Sequence, residues 1–267
     1  MLARALDNGE TEIWDLISGS QLYRLGQQGR LPDFDVAFSL DEKLIATGNA
    51  AGSATIWSLE NGENLLTLSG HHGQVNRIAF SPDSRLLATA SGDGTVKLWD
   101  VISGQEQATL YGHSNEILAL AISPDGSLLA SGSFDRTIKI WDLNASIDSG
   151  QGQEILTLAG HTARIEDISF SPDGKRLATA SPDGTVKVWD IHSPSDTEGK
   201  VFANGPGATQ EGLVTIDLSP DGTRLLTTNA DFTPRVWDTR SGEQLLTLNG
   251  HTDVVERAAF SPDGNYI

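Results

Sequence analysis

His161 to Asp190, HTARIEDISFSPDGKRLATASPDGTVKVWD, is the stretch on which the fold turns. It holds three runs of alternating apolar and polar residues, Ile165 to Phe170, Arg176 to Ala180 and Thr185 to Trp189, each bounded by Pro, Asp, Ser or Gly. Alternation over so few residues predicts half-buried β-strands rather than helix. Pro172 pre-sets the Ser-Pro-Asp-Gly turn between the first two, and Asp183-Gly184 marks a hairpin between the last two. One copy is a strand meander, too small to bury its own faces.

The rest of the chain repeats this unit. The apolar residue closing the first strand and the tryptophan of the third recur as Phe38/Trp57, Phe80/Trp99, Ile122/Trp141, Phe170/Trp189 and Leu218/Trp237, each pair 19 residues apart. Trp14 begins the series and Phe260 ends it, both without a partner. Successive tryptophans are 43, 42, 42, 48 and 48 residues apart, so length varies only outside the three-strand core. A period in the low forties, with a fourth outer strand per unit, predicts the blades of an all-β propeller.

Two dipeptides sharpen this reading. Gly-His precedes the first strand at Gly70-His71, Gly112-His113, Gly160-His161 and Gly250-His251. Trp-Asp closes the third at Trp14-Asp15, Trp99-Asp100, Trp141-Asp142, Trp189-Asp190 and Trp237-Asp238. From end to end the chain resembles the WD-repeat β-propeller family, in its near-consensus bacterial form. The resemblance implies a buried hydrogen-bond chain in each blade, through His71, Ser91, Asp93 and Trp99; His113, Ser133, Asp135 and Trp141; and His161, Ser181, Asp183 and Trp189. Such chains satisfy polar groups whose burial would otherwise cost about 1–3 kcal/mol each. A His, Ser and Asp repeated three times beside a Trp read as scaffold rather than as a catalytic triad. The Trp57 blade has Gly29, Asn49 and Ala51 at these places, and the Trp237 blade has Thr209, Asn229 and Asp231, the last two placed to bond Trp237. Those two blades are expected to be the less rigid.

About six blade equivalents result: a C-terminal half-blade over 1–26, blades over 27–69, 70–111, 112–159, 160–207 and 208–249, and an N-terminal half-blade over 250–267. Two readings of the halves stay open. They join into a six-bladed ring with a seam inside one strand, or the chain is cut from a seven-bladed ring; the second is preferred, since a seam inside a strand frays. Six extra residues fall in each of two connections, around Asn144 to Gly152 and Ser193 to Gly212, and both are expected to be longer loops.

Composition narrows function. With 36 acidic and 18 basic side chains the formal charge is −18, which opposes phosphate backbones, so no nucleic-acid partner is expected. Absence of Cys removes disulfides and thiolate metal sites, and no apolar run reaches membrane-spanning length, so no membrane partner and a cytoplasmic location are expected. No nucleophile elbow, phosphate-cradling Gly-rich loop or EF-hand pattern occurs, so no cofactor, metal or catalytic residue is expected.

Binding is better supported. The family's usual contact surface is the wide face bearing the turn between second and third strands and the loop entering the first. There the residues expected to bind a protein or peptide are Phe134 first, then Leu118, Phe34, Arg164, Glu166, Pro182 and Arg136. Phe134, a bulky ring before a turn aspartate, is of the type found at interaction anchors. The resemblance implies a non-catalytic interaction scaffold or sensor, a monomeric module within a larger multidomain regulator of bacterial signalling, with a partner of basic charge. The alternative is an enzyme or ligand-binding domain using the central channel. It is disfavoured because the departures from repeat symmetry at the polar-chain positions are Asn, Thr, Ala and Gly.

Overall fold

The computed structural model describes residues 1–6, 8–26, 33–192, 199–203, 213–229, 232–255, 257–261 and 263–267. Leu2–Ala5, Glu10–Trp14 and Gln21–Gly26 (β1 to β3) form a three-stranded sheet. Five four-stranded antiparallel sheets follow. They are Asp33–Phe38, Leu44–Asn49, Ser53–Ser58 and Asn64–Ser69 (β4 to β7); then Val75–Phe80, Leu86–Ser91, Val96–Asp100 and Glu106–Leu110 (β8 to β11). Next come Ile117–Ile122, Leu128–Ser133, Thr137–Asp142 and Glu154–Ala159 (β12 to β15), and Asp167–Phe170, Arg176–Ser181, Thr185–Asp190 and Lys200–Ala203 (β16 to β19). Leu213–Leu218, Arg224–Asn229, Arg235–Asp238 and Gln244–Thr247 (β20 to β23) make the last. Strands β4, β8, β12, β16 and β20 pack against one another in that order and, with residues 257–259, line a common channel.

Turn chemistry sets the register. Ser171 Oγ donates to Asp173 Oδ1 at 2.5 Å, Asp173 Oδ1 accepts the Lys175 amide at 3.1 Å, and Gly174 takes a φ of 68° that a side chain would resist. At the other hairpin, Asp183 Oδ1 accepts the Thr185 amide at 2.9 Å and Gly184 has a φ of 85°. Strand alternation then puts large residues on one face of a blade and small ones on the other.

The core lies between blades. Ala46, Ala54, Ile56 and Leu68 of one sheet meet Val75, Ile78, Leu87 and Trp99 of the next. Equivalent layers bring Ala88, Ala90, Val96 and Leu98 onto Ile117, Leu129 and Trp141, then Ala130, Ile138 and Ile140 onto Leu177 and Trp189, then Ala178, Ala180 and Val186 onto Leu225 and Trp237. Ile13 and Leu25 likewise meet Ile45 and Trp57.

Three expectations are corrected. The connection around Asn144 to Gly152 holds a helix, Leu143–Ser149 (α1), rather than a plain loop. Asp142 Oδ1 caps it by accepting the Ala145 amide at 2.9 Å, Gly150 ends it at a φ of 69°, and Ile147 packs onto the neighbouring inter-blade core. The first strand of the His161 blade is shorter than its pattern, beginning at Asp167. Gly250 to Phe260 forms no strand among the described residues; it is held instead by side-chain bonds, Phe260 N–H to Asp217 Oδ2 at 2.7 Å and Arg257 Nη2 to Asp35 Oδ1 at 3.3 Å. The segment thus sits at the channel between β20 and β4. Much of the second long connection, residues 193–198 and 204–212, lies outside the described residues, with β19 between them.

Trp189 has no solvent exposure, whereas Trp14 is half-buried and donates to Glu12 Oε2 at 3.3 Å. Trp189→Ala is expected to lower unfolding free energy by about 3–5 kcal/mol in urea titrations, and Trp14→Ala by distinctly less. Equal losses would contradict inter-blade burial as the main source of stability.

Candidate functional site

The polar groups at the blade rims come first, since they resemble a catalytic triad. His71 Nδ1 meets Asp93 Oδ2 at 3.0 Å, and His71 Nε2 meets Thr89 Oγ1 at 2.8 Å, which also accepts the Trp99 indole N–H at 2.8 Å. His113, Asp135, Ser131 and Trp141 repeat this arrangement at 2.9, 2.8 and 2.9 Å. His161, Asp183, Thr179 and Trp189 do so at 2.9, 2.8 and 2.8 Å. The carboxylate only accepts, so each imidazole offers Nδ1–H to it, and in the neutral ring Nε2 is then left to accept the hydroxyl hydrogen. The linking hydroxyls Thr89, Ser131 and Thr179 have no solvent exposure, so none is presented to a substrate.

The linking position is therefore two residues before the one expected. Ser91, Ser133 and Ser181 share a strand face with Thr89, Ser131 and Thr179, and the sequence pattern fits either. Register separates them: Thr179 lies opposite Lys187, two residues short of Trp189, whereas Ser181 lies opposite Thr185 at the hairpin. The three serines instead hold the turns, their hydroxyls accepting the amides of Asp93, Asp135 and Asp183 at 3.1, 3.0 and 3.2 Å. The same register gives Trp57 a partner in Thr47 at 3.2 Å and Trp237 a partner in Thr227 at 3.0 Å, in place of Asn229 and Asp231. Gly29, Thr209 and Asp231 lie outside the described residues, as does the Asn229 side chain.

Burial alone would raise the Asp93 carboxyl, but hydrogen bonds from Thr95 and the His72 amide outweigh it and hold its pKa at about 2. Asp135 and Asp183 are likewise held well below 3.8, against burial, by His113 with Thr137 and by His161 with Thr185. Burial pushes the His71 imidazole below its ordinary 6.5 despite Asp93.

On the wide face, the structure joins three of the expected residues. Arg164 lies over the Phe134 ring at 5.4 Å from its centroid, and its Nε donates to Glu166 Oε1 at 2.5 Å. Phe134 is 46% exposed. Leu118 and Phe34 fall where the inner strands shift register, between Ile117 and Ala119 and between Asp33 and Asp35. Such irregularities re-aim a side chain. Phe34 is exposed but two blades from Phe134, and Pro182 is half-buried on the blade that carries Arg164. Arg136 is exposed with a φ of 74°, where the equivalent hairpins use Gly94 and Gly184. Asn76, which holds the place of Leu118 on the preceding blade, turns inward, and its Nδ2 donates to the Ile117 carbonyl at 2.9 Å.

Charged residues that break the repeat also gather at the channel. Asp35, Arg77, Asp167, Asp217 and Arg257 all line it. Each lies in a stretch whose alternation was read only for burial, so their convergence on one axis went unseen.

The family model described as WD domain, G-beta repeat, matches residues 62–100, 104–142, 152–190, 204–238 and 242–267. The chain belongs to the WD40 family. Its all-β architecture is that of the WD-repeat propeller. No match to a curated protein was found. WD40 domains are typically non-catalytic scaffolds that bind proteins or peptides. No helix among the described residues is long and apolar enough to cross a membrane, and no group of three or more His, Cys, Asp or Glu among them is placed to hold a metal ion.

The rim chemistry has a pH signature. His71 is depressed, so the unfolded chain takes up its proton first and stability begins to fall as pH drops through 6.5. Asp93 is also depressed, so the stability it contributes above 3.8 is lost as pH falls towards about 2. Asp93→Asn is expected to flatten that acid limb in urea midpoints taken across pH; an unchanged limb would contradict the assignment. Hydrogen exchange should be faster in the Trp57 and Trp237 blades, which lack the Gly-His histidine, than in the other three, and uniform protection would show that the indole–threonine bond suffices.

Proposed function

We propose that this WD40 propeller is a non-catalytic docking module within a larger regulatory protein, and that its wide face captures a basic segment of a protein partner around Phe134. The observation that carries the reading is the clamped pair: an exposed aromatic ring with a guanidinium stacked on it and pinned by a carboxylate, present in one blade only among the described residues. The equivalent places in neighbouring blades hold Gly92 and Pro182. Residues that recur in every blade serve the scaffold. Those that differ are free for recognition.

Two further features agree. Arg136 occupies a left-handed conformation beside Phe134, a strain of roughly 1–2 kcal/mol that a glycine would relieve. Strain of this kind is kept where it positions a functional group. The formal charge of −18 favours a partner of opposite sign and speeds its approach.

Binding of fluorescent basic peptides, selected from a library against the intact chain, tests the reading by polarisation. Phe134→Ala, alone and with Leu118→Ala, should weaken capture by about tenfold or more while leaving the melting temperature unchanged. Arg136→Gly should raise the melting temperature. Selection of acidic peptides, or unchanged capture by Phe134→Ala, would overturn the assignment.

A further inference from the structure

Five charged side chains enter a channel of about 540 Å³ whose walls include Val36, Ile78, Leu120, Ile168 and Ile216. Their carboxylates are already engaged. Asp35 Oδ2 accepts the Ile78 amide at 2.9 Å, and its Oδ1 accepts Arg257 Nη2 at 3.3 Å. Asp167 accepts the amides of Ile168 at 3.0 Å and Ile216 at 2.9 Å, and Asp217 Oδ2 accepts that of Phe260. These bonds stitch one inner strand to the next around the axis.

The guanidinium groups are less committed. Arg77 makes one long hydrogen bond, from Nη1 to the Asn76 carbonyl at 3.4 Å, although a guanidinium carries five N–H donors. Arg257 commits one nitrogen to Asp35, and its side chain is 62% exposed. Both line the same channel as Asp167. The unspent capacity of this space is thus cationic hydrogen-bond donation.

We propose that the central channel is a binding site for a small oxyanion, a carboxylate or a phosphate, with the Arg77 guanidinium as its fork and Arg257 as a second arm. Planar guanidinium matches either group bidentately. At the register of Arg77 the neighbouring blades carry Asp35 and Ala119, so the cation is a departure from the repeat. Burial raises the carboxyls of Asp167 and Asp217 above their ordinary 3.8, against the backbone amides that bond them. The channel's size, within the range of small-molecule pockets, and the formal charge of −18 confine the ligand to a small molecule and exclude a polyanion. This site is separate from the wide face, so its failure would leave the docking reading untouched.

Amide chemical shifts of the intact chain, followed on titration with sodium phosphate and with sodium acetate at constant ionic strength set by sodium chloride, test the proposal. The expected result is saturable movement of the Ile78, Ile168 and Ile216 amides with one or both anions, and the stronger of the two identifies the source. Arg77→Met should weaken that binding by about tenfold or more, whereas Arg164→Met on the wide face should leave it unchanged. Circular dichroism checks the fold of Arg77→Met, and Arg257→Met, altering an exposed side chain, repeats the test if that variant unfolds. Absence of saturable movement, equal movement with chloride alone, or equal affinity in the folded arginine variants would overturn it.

Discussion

A four-stranded antiparallel sheet with two apolar faces cannot stand alone in water, and this constraint organises the molecule. Each blade has a face of small residues, such as Ala178 and Ala180, and a face of large ones, such as Leu177 and Trp189. Small residues of one blade meet large ones of the next at several interfaces, as where Ala178 and Ala180 meet Leu225 and Trp237, so unequal surfaces pack together. Sheets related in this way can only be added side by side, and successive addition around an axis leaves a channel where the inner strands converge.

The polar groups follow from the same geometry. A tryptophan large enough to seal an interface carries an N–H into it, and that donor needs a buried acceptor. A hydroxyl on the adjacent strand supplies one, and histidine and aspartate pass the chain of bonds out to the rim, tying the loop before the first strand to the hairpin of the third. The trio of His, Ser and Asp around Ser131 is close in composition to a hydrolytic site, but indole above and burial around the serine make it a fastener. Repetition in equivalent places is the physical sign of that role. Residues at which blades differ, the Phe134–Arg164–Glu166 group and the charged channel, are where a scaffold of like parts acquires specificity.

Connections tell the same story. The polar run after Asp142 reads as a loop because it lacks strand alternation, yet an N-cap at Asp142 and a left-handed Gly150 are enough to close two turns of helix once Leu143 and Ile147 have an interface to cover. Local signals were present, and the packing surface that selects them was remote in sequence.

Strand positions, turn types, the 19-residue spacing and the propeller class are determined by the sequence alone, because alternation and turn residues act over a few neighbours and repeat in every blade. Phe134 also stands out there, since a ring breaks the small-residue pattern before a turn aspartate. Register and convergence belong to the tertiary structure. Only pairing across strands distinguishes Thr89 from Ser91, which share a face. Only closure around the axis brings Asp35 to Ile78, Asp167 to Ile216 and Arg77 into one channel, since these groups lie some forty or more residues apart and no local pattern couples them.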